Sequence, residues 1–218
     1  MDLELCVITD EEVSGGISPV EIARAAINGG ADVIQLRDKN CSCRQLVRMG
    51  NEISAMTRNK KTLFIVNDRL DVALACGADG VHLGQRDMRV DTARQIAPPG
   101  FIIGVSVGSV EEAVRAEKDG ADYVALSPVF DTKSKKDAGS GHGLTQLRRI
   151  CSHVSVPVIA IGGVDQSNVA EIIEAGADGV AVISAVVGSP DISRAARTMK
   201  SLIREIKQFP QSHVRTCK

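Results

Sequence analysis

The sequence predicts a single (β/α)8 barrel of parallel strands. Two observations carry that expectation. Eight short apolar, β-branched runs alternate with longer amphipathic stretches, and a Gly-Ala-Asp turn recurs four times just before an apolar run. The length of 218 residues suits one compact barrel, since the fold needs roughly 200 residues or more. Strands covered on both faces must be almost continuously apolar. Strict alternation with helices implies parallel strands and right-handed crossovers.

The apolar runs fall at 5–9, 33–36, 63–67, 80–83, 102–105, 123–126, 158–161 and 179–183. Between them, segments such as 19–28 and 110–118 space their apolar residues three and four apart, as a helix packed on one face requires. The recurring turns are Gly30-Ala31-Asp32, Gly77-Ala78-Asp79, Gly120-Ala121-Asp122 and Gly176-Ala177-Asp178. Their glycines can take the left-handed conformation that ends a helix. Their irregular spacing excludes a solenoid and suits one turn reused at the bottom of a barrel. An open doubly wound sheet is disfavoured, because no Gly-x-Gly-x-x-Gly follows the first run. The expected organisation is one catalytic domain over 1–207 and a polar, frayed tail over 208–218.

Composition excludes several classes of function. The net charge of −1 gives no basic field for nucleic acid. With no Trp and one Tyr, the chain offers no stacking platform for bases. No apolar run reaches the roughly 18 residues of a membrane span. Met1-Asp2-Leu3-Glu4 lacks the basic and apolar regions of a secretory leader, so a cytoplasmic enzyme is expected, with no membrane partner. Most of Cys6, Cys41, Cys43, Cys76, Cys151 and Cys217 are then expected as free thiols. Cys41-x-Cys43 is too tight for the usual zinc spacing. The sequence assigns no oligomeric state.

In such barrels the chemistry sits past the C-terminal strand ends. After the second run comes Gln35-Leu36-Arg37-Asp38-Lys39, where alternation sends Gln35, Arg37 and Lys39 to one side. An amide, a guanidinium and an ammonium together suit a diphosphate; a solvated charged loop is the plainer alternative. Asn67-Asp68 and Gly84-Gln85-Arg86-Asp87 follow the third and fourth runs. Two carboxylates on adjacent strand ends suit Mg²⁺, which is held by one or two carboxylates plus substrate phosphates and water. Helix capping is the alternative for either aspartate. His82 is expected to pack at the strand end, because no His or Cys is spaced to join it on a metal. Ser106 places a hydroxyl after the fifth run.

The longest irregular stretch, 127–143, follows the sixth run and combines Thr132, Ser134, Lys135 and Lys136 with several glycines. Hydroxyls and ammoniums on a long loop suit a phosphate-binding lid, against the alternative of a plain flexible loop. Ile161-Gly162-Gly163 and Val182-Ile183-Ser184 end the seventh and eighth runs, the usual phosphate site of this fold. Glycines there let backbone N–H groups approach an anion closely, although glycine also serves any tight turn.

Taken in order, Gln35-x-Arg37-x-Lys39, Asn67-Asp68, Gly84-Gln85-x-Asp87, Val105-Ser106, Pro128-Val129-Phe130-x-Thr132-x-Ser134-Lys135-Lys136-Asp137, Ile161-Gly162-Gly163 and Ile183-Ser184 resemble the thiamine phosphate synthase family. The resemblance spans about 5–184, and the joint occurrence of the motifs is what makes it specific. It implies a transferase that joins a hydroxymethylpyrimidine diphosphate to a thiazole phosphate, with or without a carboxylate, and releases pyrophosphate. By that resemblance Gln35, Leu36, Arg37, Asp38, Lys39, Asn67, Ser106 and Lys135 hold the pyrimidine diphosphate. Asp68 and Asp87 hold one Mg²⁺ per subunit. Thr132, Lys133, Ser134, Gly163, Ile183 and Ser184 hold the thiazole phosphate, and Arg37, Ser106 and Lys135 are nearest the reacting atoms. Ser127-Pro128 stands where the family often has Gly-Pro. The alternatives are a thiazole tautomerase-like isomerase on the same fold and a non-catalytic barrel that senses thiamine precursors.

Overall fold

The computed structural model describes residues 2–132 and 140–209. Among them, eight parallel strands close into a barrel in sequence order. They are β1 (Leu5–Ile8), β2 (Val33–Leu36), β3 (Leu63–Asn67), β4 (Gly80–Leu83), β5 (Ile102–Val107), β6 (Tyr123–Leu126), β7 (Val158–Ile161) and β8 (Gly179–Val182). β1 pairs with β8 to complete the ring. The intervening helices are α1 (Pro19–Asn28), α2 (Cys43–Thr57), α3 (Leu70–Ala75), α4 (Val90–Ile96), α5 (Val110–Lys118), α6 (Gly143–Cys151) and α7 (Val169–Glu174). A short α8 (Ser184–Val187) and a long α9 (Ile192–Gln208) follow β8.

Alternation along the strands builds two cores. Ile8, Val33, Ile65, Tyr123, Ala125, Ile159 and Ala181 fill the barrel interior. Leu5, Val7, Ile34, Leu36, Phe64 and Val66 face the helices. The eight expected strands are all present, with small differences at three ends. β5 runs on through Ser106 and Val107, because both still pair with β6. Thr9 has left the strand but keeps its N–H on Gln35 O at 2.9 Å. Ile183 turns sharply, with φ −115° and ψ −85°, into α8. The expected helices over 19–28 and 110–118 are α1 and α5, begun by the side chains of Ser18 and Ser109.

The four Gly-Ala-Asp turns perform one task. Each glycine has positive φ, between 64° and 103°. Each turn closes its helix with paired backbone bonds, as in Gly30 N to Ile27 O and Ala31 N to Ala26 O, the pattern of a Schellman end. Each aspartate then accepts the N–H of a residue at the start of the preceding strand. Asp32 takes Leu5, Asp79 takes Phe64, Asp122 takes Ile103 and Asp178 takes Val158, all at 2.7–2.8 Å. The barrel is therefore stitched at its bottom as four strand pairs, leaving its top for chemistry. At the same end the buried Lys200 of α9 bonds Glu4 at 2.6 Å and also bonds Asp32, tying the last helix to the first two strands.

No described helix is long and apolar enough to cross a membrane. α9 continues through Gln208; the expected tail beyond Phe209 lies outside the described residues.

Candidate active site

Two polar clusters and a glycine-lined pocket occupy the upper strand ends. The first cluster joins β1 to β2. Arg37 Nη1 lies 2.7 Å from Asp10 Oδ2, with both side chains about nine-tenths buried. The fully buried Thr9 clasps the backbone of Arg37, its hydroxyl accepting from Arg37 N at 3.0 Å and donating to Arg37 O at 3.2 Å. Arg37 and Lys39 line one groove with Asp10, Glu11 and Glu12. Gln35 sits lower, buried inside the barrel, where it shares a small cavity with His82 and Tyr123.

Two residues of this segment have packing or hydrogen-bond partners of their own. Leu36 is buried in the outer core against the helices, so alternation keeps its side chain away from the mouth. Asp38 accepts from Asn40 N at 2.8 Å, Cys41 N at 3.0 Å and the Cys41 thiol at 2.9 Å. Burial works to raise the Asp38 carboxyl, but those bonds and Arg37 outweigh it and hold it below its usual value. The same contact pushes the Cys41 thiol up to about 11, with burial adding to it. Asp38 therefore shapes the loop that carries Lys39, and it lines the same groove as Arg37 and Lys39.

The second cluster crosses β4, β5 and β6. His82, Gly104 and Tyr123 are neighbours in one row of the sheet. The Tyr123 ring lies over Gly104, where an added Cβ would stand 2.0 Å from the ring. It thereby reaches His82, whose Nδ1 is 2.9 Å from the Tyr123 hydroxyl while Nε2 is 2.9 Å from Ser106 Oγ. Burial holds the Tyr123 phenol well above its ordinary pKa, so it stays neutral. His82 thus packs at its strand end as expected, and its ring supports Ser106. The side-chain amide of Gln85 donates to Ser106 O at 2.7 Å.

The two aspartates stand on neighbouring strand ends, since Asn67 pairs with His82 and Asp68 N donates to His82 O at 2.8 Å. Asp68 has φ 64°, uncommon for a side-chain-bearing residue. Asp87 Oδ2 accepts from Gly84 N at 2.6 Å and closes the turn after β4. Neither caps a helix, for Arg69 and Arg89 begin α3 and α4 without a side-chain cap. Among the described residues no group of three or more His, Cys, Asp and Glu could hold a metal. The available donors are two hard carboxylates, a set that suits Mg²⁺ only when substrate oxygens and water complete its shell.

The pocket past β6, β7 and β8 is lined by Ser127, Pro128, Thr132, Gly162, Gly163, Ile183 and Ser184, among others. Val129 N and Phe130 N donate to Ile161 O and Gly162 O, so the base of the strand 6 loop lies against the end of β7. Gly162 and Gly163 have φ of 97° and 65°, and a Cβ on either would strike residues 128–131. The glycines thus serve close packing as well as any anion. The Ser127–Pro128 bond is cis. Lys133, Ser134 and Lys135, with Lys136 and Asp137, lie outside the described residues.

A sequence model described as thiamine monophosphate synthase matches residues 5–186. The chain belongs to that family. Among relatives of the thiamine monophosphate synthase family, the thiamine-phosphate synthase of Methanoregula boonei is 62% identical over 95% of this chain and 96% of its own length. That of Methanocella arvoryzae is 55% identical over 95% of this chain and 98% of its own. A solved structure, the thiamine phosphate pyrophosphorylase of Pyrococcus furiosus, superposes with TM-score 0.86 at 44% identity, covering 94% of this chain and 97% of that one. The resemblance read from the strand-end motifs agrees with these relatives. The isomerase and sensor alternatives find no support among them.

The structure also adds residues that strand-end reading of β2 to β8 leaves out. Asp10 follows the first apolar run, where the same rule picks it out, and Thr9 ends that run. Tyr123 is hidden in an apolar strand, and the glycine that makes room for its ring lies beside it only in the folded sheet.

Proposed function

We propose that this member of the thiamine monophosphate synthase family joins a hydroxymethylpyrimidine diphosphate to a thiazole phosphate, giving thiamine phosphate and pyrophosphate. The observation that carries this reading is the division of the mouth. A cationic and carboxylate half lies on β2 to β5, and a glycine-lined pocket lies past β6 to β8. A simple isomerase of one phosphorylated ring has no use for both halves.

In this reading Arg37, Lys39, Asn67 and Lys135 hold the diphosphate. Gln35, below them with His82 and Tyr123, meets the pyrimidine end, and Ser106 stands between ring and phosphates. Asp68 and Asp87 would hold one Mg²⁺, which when bound neutralises charge on the leaving pyrophosphate. Thr132, Lys133, Ser134, Gly163, Ile183 and Ser184 hold the thiazole phosphate. The bond from the pyrimidine methylene to the diphosphate oxygen breaks, and pyrophosphate leaves with the electron pair. The thiazole nitrogen then supplies its lone pair to the methylene carbon. No side-chain nucleophile is required. The protein's task is to stabilise the leaving charge, hold the thiazole in line and exclude water. We place the reaction in the cytoplasm.

The test incubates the purified protein with both substrates and Mg²⁺. Thiamine phosphate and pyrophosphate should appear in equal amounts, and neither from one substrate alone. Arg37→Ala should raise KM for the pyrimidine diphosphate far more than for the thiazole phosphate. Turnover of the thiazole phosphate without pyrophosphate release would contradict the reading.

A further inference from the structure

We infer that Asp10, with Thr9, is a positioning residue for Arg37 and sets the affinity of the diphosphate half of the site. The inference rests on the reading that Arg37 binds the diphosphate. It is carried by four bonds that converge on one residue and its anchor. Asp10 Oδ2 takes Arg37 Nη1 at 2.7 Å, while Asp10 Oδ1 takes Val13 N at 3.0 Å and fixes the carboxylate to its own loop. Thr9 Oγ1 holds both Arg37 N and Arg37 O. Backbone and guanidinium of Arg37 are therefore anchored independently, both from the end of β1.

An arginine free at the mouth would lose rotamer freedom each time an anion bound. Anchoring imposes that loss when the chain folds. The anchor uses one of the five N–H donors of the guanidinium, so a fork remains available for phosphate oxygens. The arrangement has a counter-effect, because a carboxylate beside Arg37 lowers the local positive potential. Asp10 raises affinity only if aiming the guanidinium outweighs this neutralisation, and a KM that falls in Asp10→Ala would show the reverse. Asp10 thus acts through Arg37, to which its carboxylate is bonded.

The experiment is a double-mutant cycle on the full chain, with Asp10→Ala, Arg37→Ala and both together. KM and kcat are measured for each substrate, and binding of Mg²⁺-pyrophosphate is measured by calorimetry. Asp10→Ala should raise KM for the pyrimidine diphosphate about tenfold to a hundredfold and leave KM for the thiazole phosphate within about twofold. In the Arg37→Ala background, Asp10→Ala should add less than about twofold. Asp10→Asn keeps an acceptor oxygen and should recover most of the affinity, and thermal melting identifies any variant that fails to fold. Losses that multiply across the cycle, or that fall equally on both substrates, would overturn the inference. If the wild-type protein binds pyrophosphate but does not turn over, the functional reading fails, and pyrophosphate affinity across the cycle still decides the role of Asp10. If it does not bind pyrophosphate at all, both fail.

Discussion

Gly104→Ala places a methyl group where the Tyr123 ring now lies. The added Cβ would stand 2.0 Å from Tyr123 Cζ and 2.3 Å from both Cε1 and the hydroxyl oxygen. Ordinary contact begins near 3.4 Å, so the ring must retreat by more than an ångström from a packed interior. Overpacking of this kind costs about 1–3 kcal/mol. The retreat also removes the hydroxyl from His82 Nδ1, and a buried polar group left unpaired costs about 1–3 kcal/mol. The sum, roughly 2–6 kcal/mol, corresponds to a fall in Tm of roughly 4–24 °C for a domain of this size. Ser106 depends on the same imidazole, so turnover should fall by about tenfold or more even in the folded fraction. Thermal melting and steady-state kinetics measure the two effects. Tyr123→Ala removes the obstructing ring, so adding Gly104→Ala to it should cost little more. A Gly104→Ala protein with unchanged Tm and full turnover would refute the proposed packing and the support it gives Ser106.

Lys200→Met removes the cation from a buried cluster with Glu4 and Asp32. Breaking such a pair costs about 3–5 kcal/mol, a fall of roughly 6–20 °C in Tm at pH 7. Burial works to raise the Glu4 carboxyl, but Lys200 and Lys207 outweigh it and leave the folded value below the ordinary 4.5. A depressed carboxylate stabilises above its unfolded pKa and loses that effect as pH falls through the folded value. The Tm difference between wild type and Lys200→Met should therefore narrow below pH 4.5, and a difference that widens in acid would contradict the assignment. Asp68→Asn and Asp87→Asn should each reduce Mg²⁺-dependent turnover about a hundredfold or more. Both should still fold, since the amide introduced by Asp87→Asn keeps an acceptor oxygen for Gly84 N; full activity in both variants would remove the metal assignment.

The barrel was legible because its signals are local and repeated. Apolar runs marked every strand, and the Gly-Ala-Asp turns marked the ends of α1, α3, α5 and α7. What those aspartates do was not legible, because Asp79 and Phe64 meet only when two strands are laid side by side. The place of a residue at the barrel mouth was legible where a polar residue follows a strand, as at Arg37, Asp68, Ser106 and Ser184. At Leu36 alternation within the strand turns the side chain to the outer core, whatever its nearness to the motif. Asp38 likewise carries a charge that its own loop absorbs. Tyr123 gave no signal as an apolar-run residue, and its partner His82 is a long way off in sequence. Such lateral contacts depend on register, and register depends on the closed sheet.

The most direct test of the account is a crystal structure of the protein with Mg²⁺, pyrophosphate and thiamine phosphate. The account predicts Mg²⁺ about 2.1 Å from carboxylate oxygens of Asp68 and Asp87 and pyrophosphate against Arg37. It predicts the product's monophosphate against Gly163, Ile183 and Ser184. Both phosphate groups in one half of the mouth, or a metal held away from both aspartates, would contradict the division on which the proposed reaction rests.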